Sequence, residues 1–446
     1  MYHAEAGARP EVLRASLDAR ARSRVPRMVV FIGCVSLLTD VAAEMVASVL
    51  PLYLFMVLRL SPLEYGWIDG LFNGSSAIVR VWFAHWADRT QQHKRIAFLG
   101  YALSALSRIG LFVAGLGGWI SVAVVLLLDR VGKGIRTAPR DAMIAQCTSA
   151  PALGAAFGVH RAMDAVGALA GPLLATGLLF AFPGRFDLVF AVSAAFAISG
   201  LVVLARWVKM PAAATAPEEA AGGAAPPGRT ASAQAAGPPP ATRAPAEWRA
   251  LLRAPYVALC GCCALLALFT VSDGMVYAGL QARGRVDPAW LPMLFVATAG
   301  VFMAAAIPIG RLSDRFGPMS VFAAGHVGLV TMYALASVDL LPAPMTIAAT
   351  VTLLGLYYAA TDGVVMALLA RGLPAAIRTT GMAVVTSVIG LARMAASVFF
   401  GWCWTEWSHE SAMGVFAAGL TTSLLLTLLA IRWWSLAAPS TWRGER

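Results

Sequence analysis

The chain has 446 residues, of which 59% are apolar and only 13% charged, and it carries a formal net charge of +11. A soluble domain of this size carries about 25% charged residues, so the composition excludes an ordinary soluble enzyme and points to a chain lying largely in lipid. The positive charges are dispersed between apolar stretches and form no patch, which excludes the nucleic-acid partner that a basic chain otherwise suggests.

Crossing a bilayer takes about 20 mainly apolar residues per helix. Such stretches predict spans at 28–54, 66–86, 96–115, 119–143, 155–181, 187–208, 254–279, 290–310, 319–338, 344–369, 380–402 and 411–434. The expected fold class is therefore an all-α membrane protein with twelve transmembrane helices. A basic tail, residues 1–27, precedes the first span; that span is too long for a signal peptide, and no small-residue cleavage site follows it.

Inside the first span Asp40 and Glu44 stand four residues apart and share one helix face. Between the second and third spans lies Ala84-His85-Trp86-Ala87-Asp88-Arg89, where the Asp-Arg pair predicts a tight polar turn at a membrane surface. In the fourth span Asp129, Lys133, Arg136 and Arg140 fall on one helical stripe beside Arg130. Arg136, Arg140 and Asp141 lie close to the end of that span and are expected to be structural ion pairs there, or basic charges sitting at its cytoplasmic end. The fifth span repeats the four-residue spacing with His160 and Asp164, Arg161 alongside. A charge at the bilayer centre costs at least ~2.5–3.5 kcal/mol and persists where it is paired or lines a wet cavity. Asp40, Glu44, Arg130, His160, Arg161 and Asp164 are thus the candidates for proton or cation coupling, with Arg130 the expected counter-charge of the two carboxylates.

Residues 28–210 form the first expected bundle of six helices, and 211–247 an expected disordered cytoplasmic linker rich in Ala, Gly and Pro. Residues 248–435 form a second six-helix bundle, and 436–446 a cytoplasmic tail. The second bundle holds fewer charges: Asp273 in the seventh span, Asp362 in the tenth with Tyr357 and Tyr358 one turn before it, and Arg393 in the eleventh. These five are candidates for a solute cavity, since aromatic rings beside a carboxylate suit an organic or cationic solute. Between the eighth and ninth spans the motif recurs as Gly310-Arg311-Leu312-Ser313-Asp314-Arg315-Phe316-Gly317.

Repetition of that motif implies a duplicated bundle, a common plan for secondary transporters. A second correspondence agrees: Pro151, Gly158 and Gly167 match Pro374, Gly381 and Gly390 at one constant offset. Arg20, Arg22, Arg24, Arg27, Arg89, Lys94, Arg95, Arg311 and Arg315 would all face the cytoplasm if both termini do, against Arg59, Arg185, Arg283 and Arg285 on outer loops. Basic residues are retained inside, so both termini are expected in the cytoplasm. The six cysteines lack metal-ligand spacing, no Walker loop or catalytic constellation occurs, and neither a cofactor nor enzyme activity is expected. Asp40, Glu44 and His160 are a thin set for a bare metal ion.

The second motif copy fits a cytoplasmic loop signature of the major facilitator superfamily, which the chain resembles from about residue 28 to 435. The first copy departs from it, with Ala84 where Gly is usual and Gln91-Gln92-His93 in place of a Gly and basic residues. Gly158, Gly167, Gly171 and Pro172 resemble a fifth-span pattern of many exporters, with Ala175 replacing its last Gly. Three stretches resemble one bacterial branch more closely: Ser36 to Asp40 with Glu44, Asp129 to Asp141, and His160 to Asp164. The resemblance implies a major facilitator fold of two six-helix halves, multi-pass in the bacterial inner membrane, with the first and fourth helices lining a central cavity. It also implies gating loops carrying Asp88, Arg89, Gly310, Asp314 and Arg315, and proton-coupled export of a drug-like or siderophore-like amphiphilic solute by alternating access. Import of an organic solute or metal chelate and export of a metal ion are the alternatives. The expected partners are a small-molecule solute, protons and the lipid bilayer, with the chain a monomer.

Overall fold

In the computed structural model the described residues are 25–90, 92–114, 117–148, 152–209, 254–338, 341–372 and 378–437. They fold into thirteen α-helices: α1 (Arg27–Leu52), α2 (Pro62–Thr90), α3 (His93–Ala114), α4 (Gly118–Gln146), α5 (Leu153–Ala181), α6 (Phe186–Arg206), α7 (Ala254–Ala267), α8 (Asp273–Ala282), α9 (Leu291–Phe316), α10 (Pro318–Ser337), α11 (Ala343–Gly372), α12 (Arg378–Glu406) and α13 (His409–Ala437). α7 and α8 are two pieces of one span, so the helices make the twelve crossings expected. No strand occurs among the described residues. The 211–247 linker lies outside them.

The expected seventh span, 254–279, is not continuous. Its helix stops at Ala267 and restarts at Asp273, where the Ser272 side chain accepts from the Met275 amide. Inside lipid every backbone polar group needs a partner, and the Val271 amide, freed by the break, donates to the Tyr333 hydroxyl on α10 at 2.7 Å. The first span ends otherwise: α1 runs directly into a π-helical turn, Tyr53–Val57, before Arg59 turns the chain at φ 53°.

Packing repeats between the halves pair for pair. In the first half α1 packs on α5 and α6, α2 on α4, and α3 on α4 and α6; in the second, α7 packs on α12 and α13, α9 on α11, and α10 on α11 and α13. The halves meet through α2 against α12 and α5 against α9, as a twofold relation requires. With twelve crossings, the described residues begin at 25 and end at 437 on one face, here the terminal end; the opposite face is the distal end. Exposed tryptophans mark both, Trp67, Trp290, Trp402 and Trp407 distally and Trp82, Trp86 and Trp207 at the terminal end.

Among the described residues nine spans are apolar and long enough to cross a membrane by composition alone. The other three are α2, α4 and the broken seventh span. Each departs for a visible reason: buried Asp69 sits in α2, the arginine stripe in α4, and a break precedes Asp273.

Candidate functional site

The first half holds a ladder of buried charge running from mid-helix toward the terminal end. Deepest is Asp129 on α4, whose carboxylate pairs with Arg108 of α3 at 2.8 Å and with its neighbour Arg130. The Arg130 guanidinium lies 3.8 Å from the ring centre of Phe72 on α2, a cation–π contact. One step toward the terminal end, Arg136 reaches Asp40 of α1 at 4.0 Å, contacts Ser104, and lies over the Tyr101 ring. Further along, Ser36 of α1 joins Arg140 at 3.2 Å to His160 Nε2 at 3.0 Å. His160 Nδ1 lies 3.4 Å from Asp164, and Arg161 lies 3.8 Å from the same carboxylate. Arg161 itself is 71% exposed.

One sequence expectation is corrected by this geometry. Arg130 is not the ion-pair partner of Asp40; it pairs with Asp129, and Asp40 faces Arg136 instead. Of the two readings of Arg136 and Arg140, the geometry favours ion pairs over free charges at the span end: both are buried, Arg136 facing Asp40 and Arg140 bonded to Ser36 of α1. Asp141 is half-buried and pairs with Arg140 at 2.9 Å. Glu44 lies in the field of Lys133, with Asp40, Arg130 and Arg108 also in reach. Sequence reasoning missed Arg108, the one charge of α3 beyond its first turn; its position within a span was the available signal.

Close packing holds the two partly open carboxylates in place. A β-carbon on Gly167 of α5 would meet the Leu37 carbonyl oxygen at 2.8 Å, and one on Gly171 the Val41 carbonyl at 2.8 Å. Small residues let helices approach this closely, so α5 lies against α1 over the turn that carries Asp40 and Glu44. Gly158, in the same sequence pattern, faces open space.

The second-half candidates divide. Asp273, at the start of α8, accepts from the Tyr358 hydroxyl of α11 at 2.5 Å. Tyr357 points elsewhere, into a cavity of about 340 Å³ between α7, α10, α11 and α12 that Arg393, His326, Thr361 and Thr386 also line. The side chain of Asp362 lies outside the described residues, as do those of Asp88 and Arg89.

Neither Asp-Arg pair is itself in a turn. Asp88 and Arg89 lie on α2, which is helical to Thr90, and Gly310 to Phe316 form the last turns of α9. The chain turns at the last residue of the second copy, Gly317, with φ 87° and ψ 144°, a conformation open essentially to Gly alone. Gly310, Asp314 and Arg315 are exposed, and Arg315 lies 5.2 Å from the Phe316 ring.

The distal end is closed. There the Leu63 amide of α2 donates to Thr405 of α12 at 3.0 Å, and Ser397 of α12 donates to buried Asp69 at 2.6 Å. Phe55 meets Trp404 with ring centres 5.6 Å apart, and Phe180 meets Trp290 at 5.0 Å. Tyr65 seats its hydroxyl against Gly274.

Comparison with known proteins places this architecture. An uncharacterised major-facilitator-type transporter of Methanocaldococcus jannaschii is 26% identical over 389 residues, covering 84% of this chain and 88% of its own. The crystal structure of the nucleoside transporter NupG matches 91% of this chain and 99% of its own at 12% identity, with a TM-score of 0.71. That of a D-xylose-proton symporter matches 94% and 99% at 14% identity, with a TM-score of 0.67. At these identities the two structures show a shared fold. The model of the Major Facilitator Superfamily matches residues 32–283, more than half of the sequence, and the chain belongs to that superfamily of multi-pass membrane transporters.

Proposed function

We propose that the chain is a proton-coupled secondary transporter of the bacterial inner membrane, exporting a small amphiphilic organic solute by rocking its two halves about a central site. Both termini are cytoplasmic in this reading, and the monomer is the working unit. The observation that carries it is the contrast between two carboxylates on one charge ladder. Asp129 is 3% exposed and clamped by two arginines, whereas Asp40 is 21% exposed and stands 4.0 Å from Arg136. A carboxylate clamped by two cations stays ionised; one held loosely beside water can exchange a proton within a cycle. Asp40 and Glu44 are therefore the coupling groups, Arg136 the switchable counter-charge, and Asp129 with Arg108 and Arg130 the fixed frame. His160 and Asp164, with Ser36 and Arg140, continue the ladder toward the terminal end and offer the proton its route.

The second half supplies the solute side, through Asp273 with Tyr358 and the Tyr357–Arg393 cavity. Export accords with the fifth-span glycines, which pack α5 against α1; import of an organic solute is the competing direction. The proposal is tested with purified protein in liposomes carrying a pH-sensitive dye. Solute movement should be driven by an imposed pH gradient and should itself move protons. Asp40→Asn or Glu44→Gln should abolish gradient-driven flux while sparing solute exchange, which needs no net proton movement. Uphill, pH-dependent transport in both variants and in their double mutant would refute the assignment.

A further inference from the structure

The cavity between α7, α10, α11 and α12 has a donor and acceptor pattern that specifies more than an organic solute. At about 340 Å³ it falls within the range of small-molecule sites. Leu266, Ile389 and Phe322 give it apolar walls, so an occupant needs an apolar body. Its cation is Arg393, whose guanidinium carries five N–H donors and can serve a protein partner and a ligand together.

His326 supplies the opposite requirement. It is 2% exposed, tilted against Phe322 with ring centres 4.4 Å apart and set edge-on to Tyr357 at 5.3 Å. Its Nδ1 lies 2.9 Å from the Phe322 carbonyl oxygen. A carbonyl only accepts, so Nδ1 carries the proton, and in the neutral ring Nε2 is an acceptor. A ring fixed in this way on the cavity wall offers an acceptor to whatever fills it. Thr361 and Thr386 meanwhile donate to the backbone carbonyls of Tyr357 and Met382, so the cavity's charged donor is the arginine and its fixed acceptor the histidine, beside the Tyr357 hydroxyl and the Cys263 thiol, which can each donate or accept.

We propose that this cavity binds a small organic acid that carries, apart from its carboxylate, a hydroxyl or N–H donor on an apolar or aromatic body. The carboxylate meets Arg393 in the charge-assisted, bidentate manner that guanidinium favours, and the donor meets His326 Nε2. Lined also by α10, the cavity lies within the second half and is built entirely from it. That this acid is the transported solute, or its acidic headgroup, rests on the transporter reading above; the binding chemistry does not.

The test is calorimetric titration of the full chain in detergent with three probes: 3-hydroxybenzoate, benzoate and 3-hydroxybenzamide. The hydroxy acid should bind tightest. Benzoate lacks the donor to histidine and the amide lacks the charge, and each should bind at least about tenfold more weakly, the usual consequence of a missing buried hydrogen bond. Arg393→Gln should erase the preference for acid over amide. His326→Phe keeps the ring packing and should erase the preference for hydroxy acid over benzoate. Equal affinities for the three probes, no binding of any, or preferences that survive both variants would each overturn the proposal. Discrimination among probes by the unaltered protein is decisive even where a variant fails to assemble. The titration needs no gradient, so a chain that binds the acid yet moves no solute would sink the transporter reading and leave the site standing.

Discussion

At the scale of single residues, the two acids of the ladder should part company on substitution. Asp129→Asn leaves Arg108 and Arg130 buried without their carboxylate, and stranding buried charges costs about 3–5 kcal/mol. Thermal unfolding of the purified protein should fall accordingly, with loss of yield. Asp40→Asn removes a looser, partly open pair whose arginine keeps Ser104 and the Tyr101 ring, and should lower unfolding clearly less than Asp129→Asn while uncoupling flux. Equal destabilisation by both would make Asp40 a structural residue. The sequence made these charges visible, because each interrupts an apolar span, but not their pairing. Arg130 was within reach of several carboxylates by helical spacing, and only the approach of α3 brings Arg108 to Asp129 and completes that cluster. Likewise Arg136 and Arg140 sit near a span end in sequence, and the close packing of α3 against the fourth span at Gly100, with Ser36 of α1 bonded to Arg140, encloses them.

At the scale of elements, α2 and α12 form a seam at which backbone meets backbone. A β-carbon on Gly66 would meet the Ser397 carbonyl oxygen at 2.6 Å, and one on Gly70 the Met394 carbonyl oxygen at 2.7 Å. Gly70→Val should therefore hold the distal end ajar. The readout is a disulfide between Leu63→Cys and Thr405→Cys, which should form readily in the parent background and poorly beside Gly70→Val. Unchanged cross-linking would show that the seam accommodates the bulk. At the broken seventh span, Tyr333→Phe removes the partner of the Val271 amide and should cost about 1–3 kcal/mol in unfolding. That break was hidden by its composition, since Leu268 to Val271 contains neither Gly nor Pro and reads as continuous helix. Ser272 before Asp273, a helix-starting pair of cap and acidic first-turn residue, was the one legible sign.

At the scale of the whole molecule, twelve spans and a repeat were legible because both follow from patterns long enough to outweigh local noise. The helix pairings confirm the duplication element by element. Orientation is argued from the arginine and lysine distribution alone, so a reporter fused within 211–245 should read cytoplasmic and one near Pro288 external. The opposite outcome would invert the direction assigned to the ladder. Replacing 214–241 with a Gly/Ser segment of equal length should leave transport intact if the stretch is the linker its composition leads us to expect, which has only to span the gap; loss of activity would reveal a regulatory segment there.

The tryptophans at the two ends carry a consequence for the membrane itself. Indole rings prefer the headgroup level, so Trp67, Trp290, Trp402 and Trp407 on one face and Trp82, Trp86 and Trp207 on the other act as floats that fix the depth of each half. Trp290 also touches Phe180 of the opposite half across the closed end. Opening that end must pull these floats apart and tilt them against the lipid. Turnover should therefore depend on acyl-chain length, passing through a maximum in liposomes of matched thickness and falling in both thinner and thicker bilayers. The lipid would then be a mechanical component of the cycle, setting how far the halves can swing before the bilayer pushes back.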